Sequence, residues 1–165
     1  MMVVPLLDNT IQSQIIKAAH SWIDTPYLHQ ASIKGLGCDC LGLVRGIWRE
    51  VLGNEPQKTP PYTPDWAESG GREQLVEAAS QHMKRIEGNA YLPGDMLVFR
   101  WRKHLPSKHL AIVATPTTMI HAQEGAKVCE VVISPWWQRH ISHVFRFPEM
   151  PNNALKNFNQ KGHNI

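Results

Sequence analysis

The cysteine at position 40 follows an aspartate and precedes an apolar stretch with helical spacing. Asp39 can cap a helix, and Cys40 then falls in the first turn of that helix. Unpaired backbone N–H groups give a helix N-terminus a partial positive charge, which favours a thiolate. Because the thiolate is the reactive form of cysteine, we predict that Cys40 is a catalytic nucleophile.

A cysteine nucleophile needs a basic partner, and that partner needs a group that orients it. Strand periodicity places His109 on one face of a strand at 108–114 and His121 on one face of a strand at 119–124. If the hairpin between them centres near residue 115, the two imidazoles lie directly opposite each other, but the sequence does not fix this register. On the sheet face that packs against the Cys40 helix, they would form a Cys–His–His line.

The apolar periodicity predicts three helices followed by strands. The helices cover about 8–23, 38–52 and 72–86, and the strands about 96–101, 108–114, 119–124, 127–133 and 142–147. Helices first and strands afterwards predict an α+β fold, with N-terminal helices packed on an antiparallel sheet of about five strands. Pro135-Trp136-Trp137 interrupts the strand run as an exposed or docking aromatic pair.

The length of 165 residues favours one domain. We predict a single domain over 1–149 and a disordered tail over 150–165, because the tail is rich in Asn and nearly free of apolar residues. Residues 54–71 form a Pro-rich loop, and we predict that Trp66 anchors it to the body.

Charge and hydropathy exclude several classes of protein. The net charge is +3, which is too weak to predict nucleic-acid binding. No window approaches the roughly 20 apolar residues of a membrane span. The apolar start at 1–7 lacks a basic region and a cleavage site, so we predict no signal peptide and synthesis in the cytoplasm.

The three cysteines exclude a full disulfide framework and leave at least one free thiol. We predict that Cys38 is a packing residue and that Cys129 belongs to the core. A zinc site is the alternative for Cys38, Cys40, His109 and His121, but Cys-x-Cys lacks the two-residue spacing usual for structural zinc. We therefore predict no metal and no cofactor.

A set of short motifs in a fixed order resembles the NlpC/P60 family of cell-wall peptidases. The motifs span about residues 11–147 and are Thr25-Pro26-Tyr27, Gly37-x-Asp39-Cys40-x-Gly42-Leu43-Val44, Pro93-Gly94-Asp95, His109-Leu110-Ala111-Ile112 and Ile120-His121-Ala122. The resemblance implies a papain-like α+β domain with its nucleophile at a helix N-terminus. The Cys38-Asp39-Cys40 variant and the Pro60-Pro61-Tyr62 insertion look most like the branch encoded in phage and gene-transfer-agent tail clusters.

The resemblance also implies a role for each matched residue. Cys40 would be the nucleophile, His109 the base and His121 the orienting residue. Tyr27 would help to bind the oxyanion together with the Cys40 backbone N–H. His29 lies in the loop before the nucleophile and is a candidate for the substrate groove. The family usually has a Ser directly after the Cys, and this sequence has Leu41 there. This difference leaves the details of substrate binding open.

The function implied is hydrolysis of an amide bond in peptidoglycan stem peptides, between D-glutamate and a diamino acid. The partners would be peptidoglycan and phage-like tail proteins, and the enzyme would act in the periplasm or at the cell wall. Two alternatives stay open from the sequence. One is an inactive tail assembly protein, and the other is an amidase or acyltransferase of the same superfamily.

Overall fold

The computed structural model describes residues 9–63 and 73–149. The predictions for the apolar start at 1–7, for Trp66 and for the tail at 150–165 fall outside these residues. The helices are α1 (Ile11–Ser21), α2 (Cys40–Val51), α3 (Gln74–His82) and α4 (Pro135–His140). The strands are β1 (Ser32–Ile33), β2 (Gly37–Cys38), β3 (Lys84–Ile86), β4 (Met96–Phe99), β5 (His109–Thr115), β6 (Thr118–His121), β7 (Cys129–Val132) and β8 (Ile141–Arg146).

The predicted α+β architecture is confirmed, with one strand more than expected in the main sheet. That sheet has six strands in the order β3-β8-β4-β5-β6-β7, and every pair in it is antiparallel. The additional strand is β3, which the sequence assigned to the end of the third helix. The helix ends at His82, and Lys84 pairs with Arg146 instead. An edge strand of three residues carries too short a period-2 pattern to separate from a helix end.

Helix α2 begins at Cys40, two residues later than predicted. Cys38 belongs to β2 and pairs with Ser32 of β1, so it does not share a helical row with Gly42 and Gly46. Cys38 is nevertheless a packing residue, as predicted, because it is fully buried in the core. It packs there from a strand and not from the helix. The short β1–β2 hairpin thus leads the chain into the nucleophile's helix.

The close approach expected at the glycines of α2 is present. A Cβ added to Gly46 would lie 2.0 Å from Cζ2 of Trp22, which packs on α2 from the end of α1. A Cβ added to Gly42 would lie 1.8 Å from the carbonyl oxygen of Ala31. Side chains at these positions would push α2 away from its neighbours and move Cys40 with it.

The sheet has apolar side chains on both faces. Helices α1 and α2 cover the face that carries Leu110, Ile112 and Ile120. The other face forms a second cluster, and its buried members are Leu97, Phe99, Ala111, Val113, Met119, Ile133 and Val144. Trp137 of α4 packs against this second cluster, so α4 belongs to the face turned away from α2.

Candidate active site

Cys40 is the first residue of α2, as the capping pattern predicted. The Asp39 side chain caps the helix, and its Oδ1 accepts a hydrogen bond of 2.7 Å from the Gly42 N–H. Cys40 is half-buried, and its Sγ lies 3.9 Å from the carbonyl oxygen of Lys108. The thiol therefore sits at the start of β5, beside the residue that precedes His109.

The resting thiol is protonated. Burial, reinforced by the Asp39 carboxylate, raises the pKa of Cys40 to about 12. Backbone N–H groups of Leu110, Leu41 and Cys40 itself oppose this shift and lower the pKa. The helix N-terminus thus acts on the sulfur in the predicted direction, but desolvation of the charged form outweighs it.

His109 and His121 form a hydrogen-bonded pair. His109 Nε2 lies 2.8 Å from His121 Nδ1, and the side chains are only 6% and 2% exposed. One ring nitrogen donates this bond and the other accepts it. Because the bond occupies Nε2 of His109, its Nδ1 is the nitrogen that remains for another partner.

The register of the hairpin differs from the one centred near residue 115. Strands β5 and β6 pair Ile112 with Ile120 and Val113 with Met119. Extending this register by one residue places His121 opposite Ala111. The two histidines are therefore diagonal neighbours on one face, and long side chains can meet across that diagonal.

The expectation that both histidines face the Cys40 helix is wrong. His109 pairs with Phe99 of the second cluster, while the next residue, Leu110, packs with α1 and α2. Side chains alternate along a strand, so His109 and His121 lie on the face away from α2. Cys40 approaches His109 at the end of the strand and not across the sheet. Among the hydrogen bonds of the described residues, none joins the Cys40 thiol to either imidazole.

Three aromatic rings pack around His109. The ring centroids of Trp101 and Trp137 lie 5.6 and 5.9 Å from that of His109, with planes 26° and 29° from parallel. The Phe99 centroid lies at 5.8 Å, and Trp137 also packs edge-on against His121 at 5.2 Å. These rings exclude water from the pair.

Both imidazoles are neutral at neutral pH. Burial, together with the neighbouring His121, lowers the pKa of His109 to about 3. Burial lowers the pKa of His121 to about 4. A neutral imidazole has an unprotonated nitrogen, so His109 can accept a proton.

Tyr27, the residue that the resemblance assigns to the oxyanion, lies near Cys40. Its backbone bridges that of Cys38, and burial followed by the charge of Cys40 raises the pKa of Tyr27 to about 12. The phenol is therefore protonated and can donate a hydrogen bond.

His29 contacts the loop that follows α2. Its Nε2 lies 2.8 Å from the Tyr62 carbonyl oxygen, and its ring packs edge-on against the Tyr62 ring with centroids 5.0 Å apart. Its Nδ1 lies 3.9 Å from Asp39 Oδ2. His29 is thus near the nucleophile's cap, but the structure does not bring it to the histidine pair.

Sequence reasoning missed the role of Tyr62 beside the nucleophile. The Tyr62 hydroxyl donates a hydrogen bond to Asp39 Oδ2, which also accepts one of 2.8 Å from the Gln30 N–H. Asp39 is 3% exposed, so these bonds satisfy a buried carboxylate. Nothing in the spacing of Tyr62 from Asp39 predicts the contact, because a Pro-rich loop separates them.

A cavity formed by described residues next to α2 is not lined by the predicted catalytic side chains. It has a volume of about 680 Å³ and lies between α2, α3 and residues 55–63. Leu41 and Tyr62, which neighbour the nucleophile and its cap, line it together with Leu110. The cavity therefore adjoins the site on the α2 side of the sheet.

Residues 9–63 and 73–149 contain no group of three or more His, Cys, Asp or Glu side chains placed to hold a metal ion. Cys38 is buried in the core cluster, away from the histidine pair on the other face. In the same part of the chain, no helix has the length and apolar character needed to cross a membrane.

Comparison with known proteins identifies the class. The model of the NlpC/P60 family matches residues 24–146, so the chain belongs to this family. The family is generally one of cysteine peptidases that act as cell-wall hydrolases. A search of curated proteins finds no match.

Solved structures share the fold. The NlpC/p60 domain of the peptidoglycan hydrolase SagA superposes with a TM-score of 0.57 at 22% identity, over 82% of this chain and 98% of that one. NlpC1 from Trichomonas vaginalis superposes with a TM-score of 0.61 at 18% identity, over 86% of this chain and 46% of that one. A lipoprotein-like NLP/P60-family protein from Staphylococcus aureus superposes with a TM-score of 0.59 at 16% identity, over 91% of this chain and 46% of that one. The chain spans about half the length of these last two, and the likeness concerns the fold alone.

Proposed function

We propose that this chain is a cysteine peptidase that hydrolyses an amide bond in peptidoglycan stem peptides, between D-glutamate and a diamino acid. The observation that carries the proposal is the buried His109–His121 hydrogen bond beside the start of α2, where Cys40 lies. Membership of a cell-wall hydrolase family supports the substrate class, and the family's motifs support the choice of bond.

The first step forms the nucleophile. Cys40 gives its proton to Nδ1 of His109, the nitrogen that the bond to His121 leaves unused. The backbone N–H groups that lower the thiol pKa then stabilise the thiolate. This step requires Cys40 Sγ to leave the Lys108 carbonyl oxygen, 3.9 Å away, and to reach Nδ1 of the neighbouring residue, His109.

Acylation and hydrolysis follow from the same groups. The thiolate attacks the amide carbonyl carbon, and the Cys40 backbone N–H and the Tyr27 hydroxyl stabilise the oxyanion. The C–N bond then breaks, and the leaving amine takes the proton from His109. Water gives a proton to His109 and attacks the thioester, which releases the acid and returns the thiol. His121 keeps the His109 ring in the orientation that presents Nδ1.

One observation favours a second candidate function. The resting thiol is neutral and makes no hydrogen bond to His109 within the described part of the chain. A catalytically silent assembly protein would keep such an arrangement. An amidase would form the same kind of acyl-enzyme from a different amide substrate, and an acyltransferase would pass the acyl group to an acceptor other than water.

We also propose that the enzyme is part of a phage or gene-transfer-agent tail and opens the wall locally. The support is the resemblance of Cys38-Asp39-Cys40 and Pro60-Pro61-Tyr62 to that branch of the family. Proteomic analysis of purified particles tests this point. Recovery of the chain in stoichiometric amounts with tail proteins is expected, and its absence from the particles contradicts it.

Digestion of purified muropeptides tests the activity. Wild type and Cys40→Ala are incubated with stem peptides under reducing conditions, and the products are identified by mass spectrometry. We expect wild type to split the peptide after D-glutamate and Cys40→Ala to leave it intact. Identical products from both proteins contradict the proposal, and transfer of the acyl group to an added amine identifies an acyltransferase.

A further inference from the structure

An exposed aromatic surface continues outward from the rings around His109. Trp136 of α4 is 47% exposed, although tryptophan is usually mostly buried. Its ring centroid lies 5.9 Å from that of Trp101 and 5.0 Å from that of Trp137, the two indoles that pack on His109. Trp136 is therefore in ring contact with the shell of the candidate site. His140 stacks on one face of its indole, with centroids 4.0 Å apart, and the exposed remainder presents apolar area to solvent.

Positive residues are close along the chain to two of these indoles. Arg102 and Lys103 directly follow Trp101, and Arg139 lies one helical turn after Trp136 on α4. All three are exposed, and none of them forms an ion pair with another described residue. The surface thus combines one broad apolar ring with three cations that have no acidic partner in the described structure.

We propose that Trp136, with Arg102, Lys103 and Arg139, forms a second binding surface that takes the glycan strand of peptidoglycan. This inference rests on the proposed function, because it concerns the polymer that carries the scissile peptide. The C–H faces of pyranose rings pack on indole rings, which bury apolar area and keep one edge in contact with water. The carboxylates of neighbouring stem peptides on the same strand pair with the three cations.

The position of the surface favours the glycan over the scissile peptide itself. Among the described residues, Trp136 has ring contacts with Trp101 and Trp137 but none with His109 or His121, so it lies one ring farther out than the histidine pair. A polymer extends well beyond that bond and can occupy both places. Attachment at a second place raises the local concentration of stem peptides at Cys40.

Binding to intact walls tests the proposal without hydrolysis. Cys40→Ala protein is sedimented with insoluble sacculi free of teichoic acid, with and without Trp136→Ala, and with Leu92→Ala as a matched control. Leu92 is 56% exposed and lies in the loop before β4. We expect Trp136→Ala to reduce the sedimented fraction by about tenfold, as for the loss of an aromatic anchor, and Leu92→Ala to leave it unchanged. Equal binding by the two variants overturns the proposal.

Two further measurements keep the proposal separate from folding and from catalysis. Trp136→Phe is expected to restore most of the binding, and Arg139→Glu to weaken it more at low salt than at high salt. In the active protein, Trp136→Ala should slow digestion of sacculi and leave kcat/KM for a short soluble stem peptide unchanged. An equal loss on both substrates overturns the proposal.

Competition identifies the occupant. Soluble oligomers of N-acetylglucosamine are expected to release Cys40→Ala protein from sacculi. If they do not, or if the protein binds anionic vesicles and not sacculi, the surface takes a different ligand and the proposal is wrong. If wild type cleaves no stem peptide but Cys40→Ala still binds sacculi through Trp136, the proposed function fails while this inference stands.

Discussion

His109 Nε2 and His121 Nδ1 lie 2.8 Å apart in a pocket closed by tryptophan rings. This bond restrains the His109 ring and leaves its Nδ1 unused, and in the proposed mechanism that nitrogen takes the Cys40 proton. The Asp or Asn of other cysteine–histidine sites performs this orienting role. In the proposed mechanism a second imidazole, that of His121, takes this role, which has consequences for both rate and stability.

Replacing His121 should lower kcat more than it changes KM. We expect His121→Ala to reduce kcat on a stem peptide by about 10²-fold, because His109 loses its orienting bond. His121→Asn retains a hydrogen-bonding group and should recover part of the rate. His20→Ala, an exposed histidine on α1, is the control. Wild-type kcat in His121→Ala would remove His121 from the mechanism.

The histidine pair should make stability depend on pH. The pKa values of His109 and His121 fall from 6.5 to about 3 and about 4 on folding. The unfolded chain therefore binds protons below pH 6.5 while the folded chain does not. The contribution of the two histidines to the free energy of unfolding should be complete above about pH 7. Between about pH 6 and 4, the free energy of unfolding should fall by about 1.4 kcal/mol per pH unit for each histidine.

Urea unfolding from pH 4 to 8 measures this dependence. The double variant His109→Gln, His121→Gln should lose most of the slope, and His20→Ala should keep it. A wild-type stability that does not change over this range contradicts buried neutral imidazoles.

Asp39→Asn should make the nucleophile more reactive. The Asp39 carboxylate raises the pKa of Cys40, and asparagine is an equally good helix cap. We expect the pH midpoint of iodoacetamide alkylation at Cys40 to move down by about one unit, which is about tenfold in thiolate at neutral pH. Alkylation is followed by peptide mass spectrometry. An upward shift of the midpoint contradicts the charge effect.

Gly46→Ala tests how tightly α2 is held. The added Cβ would lie 2.0 Å from the Trp22 ring, and overpacking of this kind costs about 1–3 kcal/mol. Lys17→Ala on the exposed side of α1 should change the free energy of unfolding by less than about 0.5 kcal/mol. Equal stability of the two variants would mean that α2 shifts without cost.

Much of the fold could be predicted because the sequence signals are local. Asp39 identifies the start of α2, and the apolar run that follows His109 identifies β5. Both depend on residues that neighbour each other along the chain. The strand at Lys84 was missed because its pairing with Arg146 is a long-range contact that a three-residue pattern cannot encode.

The candidate site was less predictable, for a physical reason. That His109 and His121 share one face of the sheet followed from strand parity, whereas their diagonal offset depends on a register that the sequence does not fix. The face of the sheet on which they lie depends on which alternate residues α2 covers, and both sets are apolar. Leu110 and Ala111 could each have faced the helix. The contact of Tyr62 with Asp39 and the packing of Trp137 on His109 depend on loop paths that spacing does not determine.

Trapping of the acyl-enzyme shows directly whether Cys40 is the nucleophile. Wild type is mixed with a stem peptide, quenched in acid during turnover and analysed by intact and peptide mass spectrometry. The account predicts an adduct on Cys40 with the mass of the N-terminal half of the substrate, and none on Cys38 or Cys129. Stem-peptide cleavage with no adduct on Cys40, at a rate that Cys40→Ala shares, would contradict it.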